Sequence, residues 1–367
     1  MAVISHVAYG QGAPDAPVKL TLGGYVETYY QLNLRLPSNR ITNLRGFDNR
    51  DRSLTLSNVA LDVRAERGPV AAHIVAQYGA TPSSYYLYEP ALAGTSSVNA
   101  TGPELWKYLQ QANLAYTAGK TVIDAGLFTS PIGPESIQIK DSWNWSRSNL
   151  FFGLPFYHAG ARIAVPLGGE WTGQLHIYNG WNSVVDNNSY PSVALSAAYA
   201  GKRVTGQLLY FGGIERPTGA PEGKPWRHLF DAYATGKVTD TVSLSGELDA
   251  GAEANNFGTN TWIAFAAAAK LELTPTLYAA LRGDYFHETV PRLGSTLFWP
   301  TATLGSVTGT LAYQPVAGIS LRLEVRHDQA DDPVFFGGTV MGDGVTTPYV
   351  PNRRQQDTWT LGAVAWF

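Results

Sequence analysis

The chain has 367 residues, with 26 Lys and Arg against 29 Asp and Glu for a net charge of −3, 12% aromatic residues, 38 Gly and no Cys. A 44% hydrophobic share beside 15% charged residues excludes wholesale disorder, and the balanced charge offers no basic field for nucleic acid. Without Cys there are no disulfides, thiolate zinc sites or cysteine nucleophiles, and the longest clean apolar run, Ile263 to Ala269, is far below the roughly 18–20 residues of a membrane-crossing helix.

Met1 to Pro17 has neither a basic n-region nor a long apolar h-region, so no intact signal peptide is expected there. Residues 1–17 read as a flexible mature-form or tag segment, and 18–367 as one domain. From Val18 onward apolar and polar residues alternate at period two, the pattern of strands with two different faces. Strands are predicted over 18–33, 53–66, 70–79, 109–118, 121–128, 158–166, 171–180, 192–200, 203–211, 228–238, 241–252, 260–272, 276–287, 301–313, 318–328 and 356–367. That is about sixteen strands, with about 14 to 18 as the range.

The connections differ by end. Turn-rich links such as Arg67-Gly68-Pro69, Ala118-Gly119-Lys120 and Thr274-Pro275-Thr276 alternate with connections that are mostly long and polar, near 34–52, 80–108, 129–157, 181–191, 212–227, 288–300 and 329–355. Short turns at one end and long loops at the other describe an all-β, up-and-down antiparallel outer-membrane barrel, an asymmetry that sandwiches and propellers lack. Aliphatic residues define the outward face. On that face Tyr116, Trp171, Tyr199, Tyr313 and Phe367 fall near the short turns, and Tyr30, Tyr78, Tyr210, Tyr285 and Trp359 near the long loops. Two aromatic belts flanking an aliphatic band suit the two headgroup levels of a bilayer.

Alternation turns Lys19, Glu27, Asp62, Arg64, Asp124, Arg162, Asp231, Glu247, Asp249, Lys270, Arg282, Asp284, Arg322, Glu324, Arg326 and Asp328 inward. So many charges would be costly in a dry interior, whereas a barrel of about sixteen strands is wide enough to hold water. The last strand, Trp359-Thr360-Leu361-Gly362-Ala363-Val364-Ala365-Trp366-Phe367, ends on an aromatic carboxy-terminus like the signal read by the outer-membrane barrel assembly machinery, with Phe367 as its key residue.

A series of motifs carries a family likeness: Gly24-Tyr25-Val26-Glu27-Thr28-Tyr29-Tyr30, Asp141-Ser142-Trp143-Asn144-Trp145-Ser146-Arg147-Ser148, Pro155-Phe156-Tyr157-His158-Ala159-Gly160-Ala161-Arg162, Tyr178-Asn179-Gly180-Trp181-Asn182, Leu281-Arg282-Gly283-Asp284-Tyr285-Phe286 and Leu323-Glu324-Val325-Arg326-His327-Asp328. From about Gly23 to Phe367 the chain resembles the β-barrel porins called OmpL-like, or porin-2. The resemblance implies an outer-membrane channel of a Gram-negative-type envelope and names no substrate.

The third long connection, 129–157, holds Glu135, Lys140, Asp141, Trp143, Trp145, Arg147 and the apolar run Leu150 to Leu154. Such an apolar segment would make an unlikely external loop, so it is expected to fold inward, with Asp141 and Arg147 near the narrowest point. Facing it, Arg162, Arg282, Arg322 and Arg326 would form the basic side of an eyelet and Glu247, Asp249, Asp284 and Glu324 the acidic side. Arg322, Glu324, Arg326 and Asp328 alternate in sign along one face, so local pairing that solvates the wall is an equal reading, and strong ion selectivity is not expected.

His158, His176 and His228 fall on or near lumen-facing positions, but no spacing links them to a nucleophile and an acid, so no catalytic site is expected. The scattered His residues offer no paired metal spacing, and neither a metal nor a cofactor is expected. The chain therefore reads as a porin passing small hydrophilic solutes and ions by passive diffusion. The alternative is a scaffold barrel with a loop-plugged lumen that holds partner proteins. Expected partners are outer-membrane lipids or lipopolysaccharide, the diffusing solutes and the assembly machinery, with a homotrimer as the habit of sixteen-strand porins.

Overall fold

The structure, a computed structural model, describes residues 17–86, 89 and 106–367. The N-terminal segment expected at 1–17 lies, except for Pro17, outside the described residues, as does much of the connection 80–108. The strands are β1 (Lys19–Asn33), β2 (Leu54–Arg67), β3 (Val70–Tyr78), β4 (Leu109–Ala118), β5 (Thr121–Thr129), β6 (Tyr157–Gly168), β7 (Trp171–Tyr178), β8 (Ser192–Ala200), β9 (Val204–Ile214), β10 (Trp226–Lys237), β11 (Val242–Asn255), β12 (Gly258–Thr274), β13 (Leu277–Thr289), β14 (Thr303–Tyr313), β15 (Ile319–Ala330) and β16 (Gln355–Trp366). All sixteen expected strands are present, and every boundary lies within three residues of its predicted place.

Each strand pairs antiparallel with its chain neighbours, and β16 returns to β1 to close the barrel. Closure satisfies every edge that an open sheet would expose, a requirement where no water can bond a free N–H or C=O. At the seam Tyr25 lies opposite Trp366 and Asn33 opposite Thr358. Gly24 is needed there, since a Cβ would meet the Ala60 carbonyl oxygen at 2.7 Å and the Phe367 ring at 3.0 Å.

Period-two patterning becomes a difference of environment. On β15, Leu321, Leu323 and Val325 face out while Ser320, Arg322, Glu324, Arg326 and Asp328 are buried. Leu61, Leu114, Leu195, Leu208, Phe230, Leu281, Leu311 and Leu361 continue the exposed apolar surface around the wall. A continuous band of that kind would aggregate in water and is solvated by hydrocarbon. No helix among the described residues is long and apolar enough to cross a membrane. The strands are the crossing elements.

The ten aromatics read as outward do lie on the outer face. Tyr116, Trp171, Tyr199, Tyr313 and Phe367 sit within two residues of a strand end at the short turns, and the other five within four residues of an end at the long loops. Tyr199 is half-buried against Trp171, with ring centroids 5.2 Å apart. His228 departs from its expected place. It faces outward with Trp226 and Phe230, its Nδ1 2.9 Å from the Tyr210 hydroxyl, because Arg227, Leu229 and Asp231 take the inward phase of β10. An apolar residue on that inward row hid the phase.

Among the described residues two short α-helices, α1 (Ala80–Tyr85) and α2 (Asn149–Phe152), belong to the connections. The second caps itself locally, with the Ser148 hydroxyl accepting the Phe151 N–H at 3.0 Å. Around it an apolar cluster of Phe47, Phe151, Phe152, Phe156, Trp181 and Phe286 fills part of the interior.

Candidate pore site

The connection between β5 and β6 enters the barrel. Strands eight apart in a closed ring of sixteen lie on opposite walls, so a loop leaving β5 and bonded to β13 crosses the whole bore. Its attachment to the far wall is polar and specific. The Glu324 carboxylate accepts the Trp145 N–H at 2.6 Å and the Ser146 N–H at 3.0 Å. Arg322 donates to the carbonyls of Asn144 and Ile139, both at 2.9 Å. Arg326 donates to Ser146 Oγ, Asn149 Oδ1 and the Arg147 carbonyl, and pairs with Asp328 at 2.7 Å. Asp284 accepts the Asn149 N–H at 3.0 Å, Arg282 donates to the Ser146 carbonyl at 2.6 Å and pairs with Glu135 at 2.7 Å, and Glu27 accepts the Ile139 N–H at 2.7 Å.

These bonds have a common cause. A loop threading a lumen has no strand partner for its N–H and C=O groups, so charged side chains of the wall supply one each. Arg282, Arg322 and Arg326 are 3% exposed or less, and each donates to the loop as well as to the wall. Asp284 and Glu324 stand on the same strands, so basic and acidic groups are interleaved on one wall instead of facing each other across a gap. Arg162 is on β6, away from the other three arginines, and pairs with Asp124 at 2.7 Å while lying 4.2 Å over the Phe128 ring. Arg147 donates to the carbonyls of Ser136, Ile137 and Trp145 within its own loop, and burial pulls its guanidinium below its ordinary value. Arg45 and Asp48, three residues apart in the first long loop, join this network beside Asp328. Opposite charges at that spacing are the sequence signal of the pair.

Trp145 is fully buried against Tyr29 and lies on Gly362 of β16, where any Cβ would collide with the indole ring. Gly362→Val is expected to expel Trp145, shifting tryptophan emission to the red and opening the loop to protease. Unchanged emission and cleavage would show that the wall yields without moving the loop.

The loop fills the side of the bore toward β13–β16 and leaves a cavity of about 640 Å³ on the side of β2–β7. Asp62, Arg64, His73, Asp124, Lys140, Asp141 and Arg162 line it, and it reaches the short-turn end at Gly119 and Lys120. Of the expected constriction residues, Asp141 and Arg162 border this space. Most of its charges are locally paired: Arg162 with Asp124 at 2.7 Å, Lys140 with Asp141 at 2.8 Å and Arg64 with Asp62 at 3.8 Å, and His73 Nε2 is 2.9 Å from Asp62. His73 is legible only through the Ala71–His73–Val75–Gln77 alternation of β3.

Other buried groups brace the loops. Glu215 accepts the Trp181 N–H at 2.7 Å and the Ser192 hydroxyl at 2.6 Å, and burial pushes its carboxyl up. His158 has Nε2 3.3 Å from Ser130 Oγ, and its Nδ1 is held by the Gly180 carbonyl at 3.0 Å in place of the acid that a hydrolytic triad would use.

Residues 19–367 match the sequence profile of the family described as "Putative beta-barrel porin-2, OmpL-like". No curated protein matches the chain. Among solved structures, the outer-membrane channel DcaP of Acinetobacter baumannii aligns with a TM-score of 0.61 at 13% identity, covering 98% of this chain and 99% of that one. The anion-selective porin from Comamonas acidovorans gives 0.61 at 12% identity, over 96% and 100%. The trimer form of OmpT, an outer-membrane protein of Vibrio cholerae, gives 0.60 at 8% identity, also over 96% and 100%. At such identities the likeness is one of fold.

Proposed function

Since this chain belongs to the OmpL-like β-barrel porin-2 family and is thereby an outer-membrane channel, we propose that small hydrophilic solutes and ions cross it by passive diffusion along the cavity that the inner loop leaves beside β2–β7. The polar cavity beside β2–β7 carries this reading. Because its charges come as neighbouring opposite pairs, its field is short-ranged, and weak ion preference is the expected behaviour. Asp141 and Arg162 are the constriction residues of this reading. Arg282, Asp284, Arg322, Glu324 and Arg326, together with Arg147, hold the loop side of the bore, and Glu247 and Asp249 lie buried on the inward face of β11 beside it.

The outward aromatics Tyr30, Tyr78, Tyr210, Tyr285 and Trp359, and Tyr116, Trp171, Tyr199, Tyr313 and Phe367, mark the two headgroup levels in contact with lipid or lipopolysaccharide. Phe367 is also the residue presented to the barrel assembly machinery. A homotrimer is the assembly proposed, in line with the trimer form of the V. cholerae protein.

Planar-bilayer recording tests the central claim. Folded protein is expected to give stepwise currents with a cation-to-anion permeability ratio near one. Arg162→Glu combined with Lys140→Glu removes two positive charges from the cavity and adds two negative ones, and is expected to raise that ratio several-fold. Well-folded protein without step currents would favour a plugged scaffold barrel, and an unchanged ratio would place the ion path elsewhere.

A further inference from the structure

We propose that Asp231, Glu247 and Asp249 form a binding site for one hard divalent cation between the barrel wall and the inner loop. The three carboxylates come from adjacent strands. Asp231 of β10 is the register partner of Asp249 on β11, and Glu247 lies two residues along on the same inward face. One oxygen from each lies within 4.8 Å of the others, and all three residues are buried. Oxygens grouped that closely can all reach one hard divalent cation of the calcium or magnesium kind.

Proximity alone would be unremarkable; the missing partners point to a ligand. Asp231, 3% exposed, has neither carboxylate oxygen hydrogen-bonded among the described residues, and Glu247 Oε1 and Asp249 Oδ1 are also without a donor. The Gly133 N–H faces Asp231 without closing a hydrogen bond, and Asp231 and Asp249 abut carboxyl to carboxyl, a contact that requires a proton or a cation between them. Other buried carboxylates of the bore are served differently: Asp284 by the Asn149 N–H, Glu324 by two backbone N–H groups, Asp328 by Arg326 and Glu253 by Arg227. The charges facing Glu247 are those of Asp249, Asp231 and Glu135, all acidic. Three carboxylates with several idle oxygens and no ion pair to a Lys or Arg among the described residues are chemically incomplete, and a hard divalent ion accepts oxygen donors of this kind. Glu247 also lies against Gly133 of the loop, where a Cβ would collide with Oε1, so the site occupies the junction of loop and wall.

Protein refolded in detergent, free of lipopolysaccharide and stripped with chelator, would be titrated with Ca²⁺ by calorimetry at neutral pH, alongside Asp231→Asn combined with Asp249→Asn. The wild type is expected to bind one equivalent and to gain thermal stability with Ca²⁺, and the double variant to keep its folded-barrel gel mobility while losing affinity by at least about tenfold. Glu247→Gln is expected to weaken binding in the same direction. No saturable binding to the wild type would overturn the proposal and leave a proton-sharing carboxylate cluster. Unchanged binding in both variants would overturn it equally, by placing the ion elsewhere.

Discussion

Arg322→Glu combined with Arg326→Glu is expected to raise the unitary conductance several-fold, with the change in ion preference a secondary effect. Both guanidiniums are buried, and each is bound to carbonyl oxygens of the inner loop. Replacing them with carboxylates aims negative charge at those oxygens and sets it beside Glu324 and Asp328, neighbours on the same inward row. Removing one partner from a buried charge network costs about 3–5 kcal/mol, and two such changes exceed what one short loop can absorb. The loop should leave the wall while the backbone ladder of the barrel persists. Single-channel recording in planar bilayers reads the outcome, with protease cleavage between Glu135 and Ser148 as a second readout. Unchanged conductance with a shifted permeability ratio would place the two side chains in the water path and remove their anchoring role.

A second large effect is expected from Phe152→Ala. Phe152 meets the ring of Phe47 at 5.2 Å, edge-on, and those of Phe151 and Phe156 at 5.4 and 5.9 Å, joining the inner loop to the first long loop. Its ring also lies against Gly46, where a Cβ would clash. Truncating a buried Phe typically costs about 3–5 kcal/mol, and a loop held in part by that cluster loses much of its docking energy. Denaturant unfolding followed by tryptophan emission should show an early transition that the wild type lacks. Phe152→Leu should recover most of the loss. A single unshifted transition for the alanine variant would mean that the polar anchors on β13 and β15 suffice alone.

The wall was legible in the sequence because membrane barrels impose a rigid rule on side chains. Leu321 and Arg322 must face different media, and the alternation records that directly. The inward turn of the third loop was legible as well, because Trp143, Trp145, Phe151 and Phe152 have no solvent-facing place to go. The partners of the inward arginines were hidden. Arg322 binds carbonyl oxygens of Asn144 and Ile139, groups that every residue carries and no sequence displays. The same holds for Glu324, whose partners are two backbone N–H groups. An eyelet of opposed charges assumed that ionised side chains face water, and the loop's unmet backbone claimed them first. The carboxylate cluster was hidden for another reason: Asp231 and Asp249 meet only through strand register, which local spacing does not encode.

The bridging loop also bears on mechanics. A bare cylinder of β-sheet flattens most readily into an ellipse, since that deformation bends the wall without breaking its ladder. Tying the β5–β6 wall to β13 and β15 places a strut along one diameter, fixed at its far end by three arginines and two carboxylates. Lateral pressure from the surrounding leaflets then meets resistance along that axis, and the cavity beside β2–β7 keeps a steady cross-section. A protein with its strut released should show broader open-channel current noise as well as larger currents.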